Sequence, residues 1–170
     1  YISTDYVFDG QGTTPWQPDC KDYAPLNVYG QTKLDGELAV ANTLEKYFIV
    51  RIAWVFGVNG KNFIKTMLNA GKTHDKLTVV SDQIGTPTYA RDLARAIFTA
   101  IYKGVVPGVY HFSDEGVCSW YDFTKAIHRI AGITTCKVSP LHTNEYPAKA
   151  PRPHYSVLDL SLIHISDPTR

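Results

Sequence analysis

Apolar and polar positions along the chain follow two rhythms, one suited to strands and one to helices. Residues 1–8 (YISTDYVF) are dense in β-branched and aromatic side chains and predict a first strand. Residues 9–27, rich in Gly, Pro and Asp, predict a loop too long for a plain connection, and so a functional one. Over residues 28–47 apolar side chains recur near one helical face, at Leu34, Leu38, Ala41 and Leu44. Residues 48–56 (FIVRIAWVF) predict a buried strand. Strand, loop, helix and strand in this order build parallel sheets, so the expected class is α/β with a largely parallel sheet.

Further on the elements shorten. The pattern predicts a helix over 62–70, a strand over 77–80, a turn-rich loop over 81–88 (SDQIGTPT) and a clear amphipathic helix over 89–102. A strand is expected at 109–112. Ser119 is placed to cap a helix running to Ala131, with Phe123, Ile127 and Ile130 facing the core. The Pro-rich stretch 146–153 is expected to wrap the surface before a last short strand within 155–161. The chain opens on a strand pattern at Tyr1 and not on Met, so it is expected to start inside a fold. Residues 162–170 (LIHISDPTR) carry no helical stripe and contain Pro168; they are expected to be a foreign tail, similar to translated cloning or adapter sequence.

Composition narrows the function classes. With 44% hydrophobic and 12% aromatic residues in 170, the chain can bury an ordinary core. Lys and Arg number 17 against 16 acidic residues, so no global field draws nucleic acid or an anionic membrane. No apolar run approaches the roughly 20 residues a membrane-spanning helix needs. Cys20, Cys118 and Cys136 lack CxxC spacing and fit inert packing residues in a reducing cytoplasm. The six histidines show no ligand spacing, and no metal is assigned.

The first candidate chemistry is Tyr29-Gly30-Gln31-Thr32-Lys33, a YxxxK at the start of the first predicted helix. Positions i and i+4 share a helix face, so the lysine ammonium can lie near the phenol. A fixed cation favours phenolate and brings a phenol, ordinarily near pKa 10, toward the range useful in proton transfer. The same spacing recurs at Tyr121 and Lys125, in a helix whose apolar positions read as core, so that match is read as structural. Tyr29 has the better context, because Ser3-Thr4-Asp5-Tyr6 ends the first strand and ligands of open α/β sheets bind beyond strand carboxyl ends. Thr4 has a hydroxyl to offer a carbonyl, although a lone Thr in a strand is more often simple β-propensity.

The ordered set STDYVFDG, Gly/Pro-rich loop, NVYGQTKLDGE and RIAWVFG resembles the extended short-chain dehydrogenase/reductases, within which it is most similar to the dTDP-4-dehydrorhamnose reductase family, over residues 1–161. The resemblance implies the C-terminal part of a Rossmann-type doubly wound sheet plus a smaller mixed α/β substrate-binding region. Residues 1–56 would be the catalytic half of the Rossmann-like domain. Residues 57–161 would be the substrate-binding region, with a returning helix and strand at about 86–113. It implies reduction, by NADPH or NADH, of the C4 keto group of a nucleotide-activated deoxysugar used for cell-surface polysaccharide precursors. Thr4, Tyr29 and Lys33 would be the catalytic trio. Tyr29, Lys33, Ala53 and Trp54 would meet the cofactor. Asp5, Tyr6, Trp54, Asn62, Phe63, Gln83 and Arg152 would meet the substrate, Arg152 at the diphosphate.

For Trp54 and Arg152 the bland readings, a core indole and a solvated charge, stand beside these. Tyr6 occupies the slot where related sugar 4,6-dehydratases carry an acid, which favours reduction over elimination. The resemblance also implies a cytoplasmic protein, with pairing into a homodimer open. It leaves two alternatives: a sugar-nucleotide epimerase, and a non-catalytic regulatory subunit of the methionine adenosyltransferase type. The glycines 10, 12, 57 and 60 do not form the GxxGxxG turn that cradles a dinucleotide pyrophosphate, so these residues alone are expected to be inactive.

Overall fold

A computed structural model describes residues 1–166. In chain order the elements are β1 (Ile2–Thr4), α1 (Val28–Thr43), β2 (Phe48–Ile52), β3 (Val55–Phe56), α2 (Phe63–Thr73), β4 (Lys76–Val80), β5 (Ile84–Gly85), β6 (Thr88–Tyr89), α3 (Ala90–Lys103), β7 (Gly108–Phe112), β8 (Cys118–Ser119), α4 (Trp120–Ile130), β9 (Lys137–Leu141) and α5 (Ser161–Ser166). The main sheet is parallel in the order β1-β2-β7, with Thr4 opposite Ile52 and Ile52 opposite Phe112. The α/β expectation and the Rossmann-like sheet are met. A second region holds the parallel pairs β3-β6 and β4-β9 and the antiparallel pair β5-β8.

Period-two alternation decides what each face of the main sheet carries. Ser3, Ile49, Arg51 and His111 point to one face, where all are buried. There Arg51 meets Glu37 of α1, its Nη2 donating to Oε2 at 2.7 Å. Ile2, Val50, Tyr110 and Phe112 point to the other, toward Leu93, Ile97 and Ala100 of α3 across an apolar cavity of about 410 Å³.

Several elements differ from expectation for identifiable reasons. β1 stops at Thr4 because residues Asp5–Val7 curl into a 3-10 turn, the Tyr6 N–H bonding the Thr4 hydroxyl at 3.3 Å and the Phe8 N–H the Asp5 carbonyl at 3.2 Å. The strand predicted over 48–56 is two strands, since the chain leaves one sheet for another at Ala53-Trp54, where Trp54 has φ 46°. α1 ends at Thr43, and it buries Gly30, Leu34 and Glu37 while Leu38 and Leu44 stay exposed. Its inward stripe is therefore part polar, built around the ion pair to Arg51. In α4 the Ser119 cap forms as expected, completed by a reciprocal bond to Asp122, but Ile130 is exposed, and Thr124, Ile127 and His128 take the buried side.

β9 was not anticipated; among the described residues its one strand partner is β4, and on such a strand the missing N–H of Pro140 is tolerated. Conversely, residues 155–161 form no strand and contribute only isolated bridges, Tyr155 to Ile84 and Leu158 to Trp16. The expectation of no regular structure after Ser161 is also corrected: Ser161–Ser166 is helical and packs against β7. The remainder of the expected tail, residues 167–170, lies outside the described residues. Among the described residues no helix is long and apolar enough to cross a membrane.

Candidate active site

Asn27 starts the site. Its side chain caps α1 by accepting the Gly30 N–H at 2.9 Å, while its amide donates to the Pro151 carbonyl at 2.9 Å and so ties the 150–153 segment to the helix entrance. Gly30 lets the entrance come close: a Cβ there would lie 2.3 Å from the Tyr6 carbonyl oxygen. This approach sets Tyr29 edge-on to Tyr6, ring centroids 5.7 Å apart at 81°. Tyr29 is 55% exposed, and its phenol is open to solvent and not sealed in the core.

Thr4 and Asp5, which precede Tyr6 in the chain, are both buried. The Thr4 hydroxyl donates to Asp5 Oδ1 at 2.9 Å. Burial pushes the Asp5 carboxyl up to about 6, against hydrogen bonds from Ser156 and Thr4 that pull it down. Asp5 Oδ2 has no hydrogen-bond partner. The structure thus turns the Thr4 proton toward Asp5, and Asp5 inward beneath Thr4. Burial, reinforced by the Asp5 charge, raises Tyr6 to about 12, with Arg152 pulling in the opposite direction. Tyr6 thus feels the charges of Asp5 and Arg152 while its ring meets that of Tyr29.

The Lys33 ammonium, expected beside the Tyr29 phenol, faces β1. It donates to the Ile2 carbonyl at 2.6 Å and sits 4.7 Å from the Tyr1 ring centroid. A strand carbonyl at the open side of β1 needs a donor, and a lysine has two more protons after supplying one.

A second group lies around a cavity of about 440 Å³ lined by Trp54, Phe63, Gln83, Trp120, Tyr146 and Arg152, among others. Of the expected ligand contacts, Trp54, Phe63, Gln83 and Arg152 are brought together here. Ala53 is buried behind it, its carbonyl taking the Thr88 hydroxyl at 2.5 Å. Asn62 serves the local fold instead, capping α2 through the Lys65 N–H at 3.1 Å and donating to the Gly57 carbonyl at 2.7 Å. Gln83 is buried and donates to Thr143 Oγ1 at 3.2 Å. Trp120 and Tyr146 were not singled out in the sequence, since only long-range packing brings them to Trp54 and Arg152. The second YxxxK forms a cation–π contact on α4, Lys125 Nζ lying 5.2 Å from the Tyr121 ring centroid.

A family model described as the RmlD substrate binding domain matches residues 1–167. The chain belongs to this family. Among relatives of this RmlD-type chain is the spore coat polysaccharide biosynthesis protein SpsK of Bacillus subtilis, 46% identical over 158 residues, covering 93% of this chain and 54% of SpsK. The dTDP-4-dehydrorhamnose reductase of Escherichia coli is 43% identical over 168 residues, covering 94% of this chain and 56% of the relative. A solved dTDP-4-dehydrorhamnose reductase from Bacillus anthracis in complex with NADP superposes with a TM-score of 0.92 at 41% identity, covering 98% of this chain and 58% of that one. The RmlD-type chain thus spans little more than half the length of these relatives.

Proposed function

We propose that the chain is the substrate-binding and proton-donating half of an NADPH- or NADH-dependent reductase, which converts dTDP-4-dehydrorhamnose to dTDP-L-rhamnose for cell-surface polysaccharide precursors. The observation that carries this reading is an exposed phenol, Tyr29, set edge-on to Tyr6 at the entrance of α1, which Asn27 ties to Pro151, the neighbour of the cavity-lining Arg152. The relatives' names agree with it.

The site residues fit the nicotinamide end of the cofactor: Tyr29 is exposed, and Lys33 keeps donors for ribose hydroxyls after serving Ile2. When bound, the reduced nicotinamide supplies a hydride to C4 of the sugar. Tyr29 gives its phenolic proton to the C4 oxygen, so that the C=O double bond becomes an alcohol, and the exposed phenolate recovers a proton from solvent. Lys33 fixes the ribose side, and Thr4 serves the same oxygen as a donor only when Asp5 is protonated and no longer holds its hydroxyl proton. Trp54 and Phe63 flank the sugar and base with apolar walls. Arg152 offers a planar donor fork to the diphosphate, while the adjacent Tyr6 phenol, raised to about 12, stays protonated and able to donate.

The pyrophosphate cradle is assigned to the part of the relatives that this chain does not span. The open side of β1 and the apolar cavity of about 410 Å³ beneath α3 are where that half would pack. The three free cysteines fit a cytoplasmic setting. The test mixes NADPH and dTDP-4-dehydrorhamnose with the 170-residue chain, then with the chain joined to the cofactor-binding half of the Escherichia coli relative. The joined protein should consume NADPH and the chain alone should not. Turnover by the chain alone, or none by the joined protein, contradicts the proposal.

A further inference from the structure

Among the described residues Trp54 is the one non-glycine with positive φ, at 46°. For a bulky side chain such a conformation costs about 1–3 kcal/mol and persists only when the surroundings impose it. Three neighbours do so. Thr88, wholly buried, donates its hydroxyl to the Ala53 carbonyl at 2.5 Å and its N–H to the Trp54 carbonyl at 3.1 Å, fixing the backbone on both sides of the kink. Gly85 supplies bare backbone against the indole, since a Cβ there would fall 2.6 Å from Trp54 Cε2. Trp120 stacks on the indole with centroids 3.5 Å apart and planes 13° from parallel.

Trp120 is itself held. It is the first residue of α4, directly after the Ser119 cap, where the Ser119 hydroxyl donates to Asp122 Oδ2 at 2.6 Å and accepts the Asp122 N–H at 3.0 Å. Phe63 supports it from the side, centroids 4.5 Å apart. Residues from three separate segments thus fix one indole. A core needs no left-handed tryptophan, and this one is only half-buried and lines the cavity with Gln83 and Arg152.

We infer that Trp120 is a positioning residue for the nucleotide-sugar site: with Gly85 beneath, it clamps Trp54 in its left-handed backbone and so makes the indole a fixed wall of the cavity. The inference rests on the reading given under Proposed function. A stacked aromatic pair is worth about 0.5–1.5 kcal/mol, so the clamp sets ligand affinity by up to about tenfold.

The experiment titrates the 170-residue chain with dTDP by calorimetry and records the circular-dichroism couplet of the stacked indoles. Trp120→Ala should lose the couplet and weaken dTDP by about tenfold, and Trp120→Phe, which keeps a stacked ring, should retain most of the affinity. Gly85→Ala should displace Trp54 and weaken dTDP similarly with Trp120 untouched; it also serves should Trp120→Ala fail to fold. In a Trp54→Ala background, Trp120→Ala should add nothing further. Parent-like affinity in Gly85→Ala or Trp120→Ala overturns the inference, as does a full additional loss in the Trp54→Ala background. A parent chain that binds no dTDP overturns the nucleotide-sugar reading and this inference with it, whereas binding by the parent with no effect of the variants overturns the inference alone.

Discussion

The Thr4 hydroxyl donates to the buried carboxylate of its neighbour Asp5 at 2.9 Å. A hydroxyl has one proton, so while Asp5 is charged Thr4 offers a carbonyl oxygen nothing to accept. Burial holds Asp5 at about 6 against an ordinary 3.8, so the folded chain binds this proton more tightly than the unfolded one. The resulting stability is fully present below 3.8 and is lost as pH rises through about 6. Relative to Asp5→Asn, the parent should therefore lose on the order of 2 kcal/mol across that window, read by urea unfolding at its two ends. Parallel pH profiles for the two proteins would contradict this.

Arg51 is wholly buried and donates to Glu37 from both Nε and Nη2, to the Tyr23 hydroxyl at 3.1 Å and to the Pro18 carbonyl at 3.3 Å. It thereby fastens the long loop to the sheet. Glu37→Ala leaves that guanidinium uncompensated and should destabilise by about 3–5 kcal/mol, while Glu37→Leu with Arg51→Met should cost markedly less. Denaturant midpoints of the two proteins measure the difference. Equal losses would mean that the pair contributes through packing volume and not through charge.

Gly30→Ala should push the α1 entrance away from the Tyr6 carbonyl, because the added methyl would lie 2.3 Å from that oxygen. The expected cost is about 1–3 kcal/mol, and the Tyr29 ring should move off the edge of Tyr6. A near-ultraviolet tyrosine signal and a melting temperature both equal to the parent's would contradict it.

Cys118 is half-buried beside Asp122, and burial, aided by that charge, pushes its thiol up to about 11. It should react with a disulfide reagent at neutral pH far more slowly than a free thiol, and speed up once the chain is unfolded. Equal rates folded and unfolded would contradict the assignment of Cys118 as a packing residue.

The strand–loop–helix–strand unit was legible because its signals are local: β-branched runs for β1 and β2, a helical stripe between them, and glycine and proline in the loop. The misplaced boundaries lie where a distant partner decides. Nothing near Trp54 in the chain announces that Thr88, Gly85 and Trp120 will bend its backbone out of a strand. In the same way Leu38 and Leu44 fit a helical stripe by spacing alone, and only the buried Arg51 explains why Glu37 faces inward instead. For the candidate site, Tyr6 and Tyr29 were readable within a motif set and their rings meet edge-on, whereas the Lys33 ammonium of the same set is turned to the Ile2 carbonyl. The capping role of Asn62 and the inward turn of Asp5 depend on hydrogen bonds that spacing does not encode.

The central claim is that the Tyr29 phenol gives a proton to a sugar ketone. Its most direct test is the initial rate of NADPH consumption with dTDP-4-dehydrorhamnose, in the chain joined to a cofactor-binding half, for the parent and for Tyr29→Phe. The rate should fall by about 10²–10⁴ while dTDP affinity stays within a few-fold of the parent's. A Tyr29→Phe protein that turns over at the parent's rate would contradict the account.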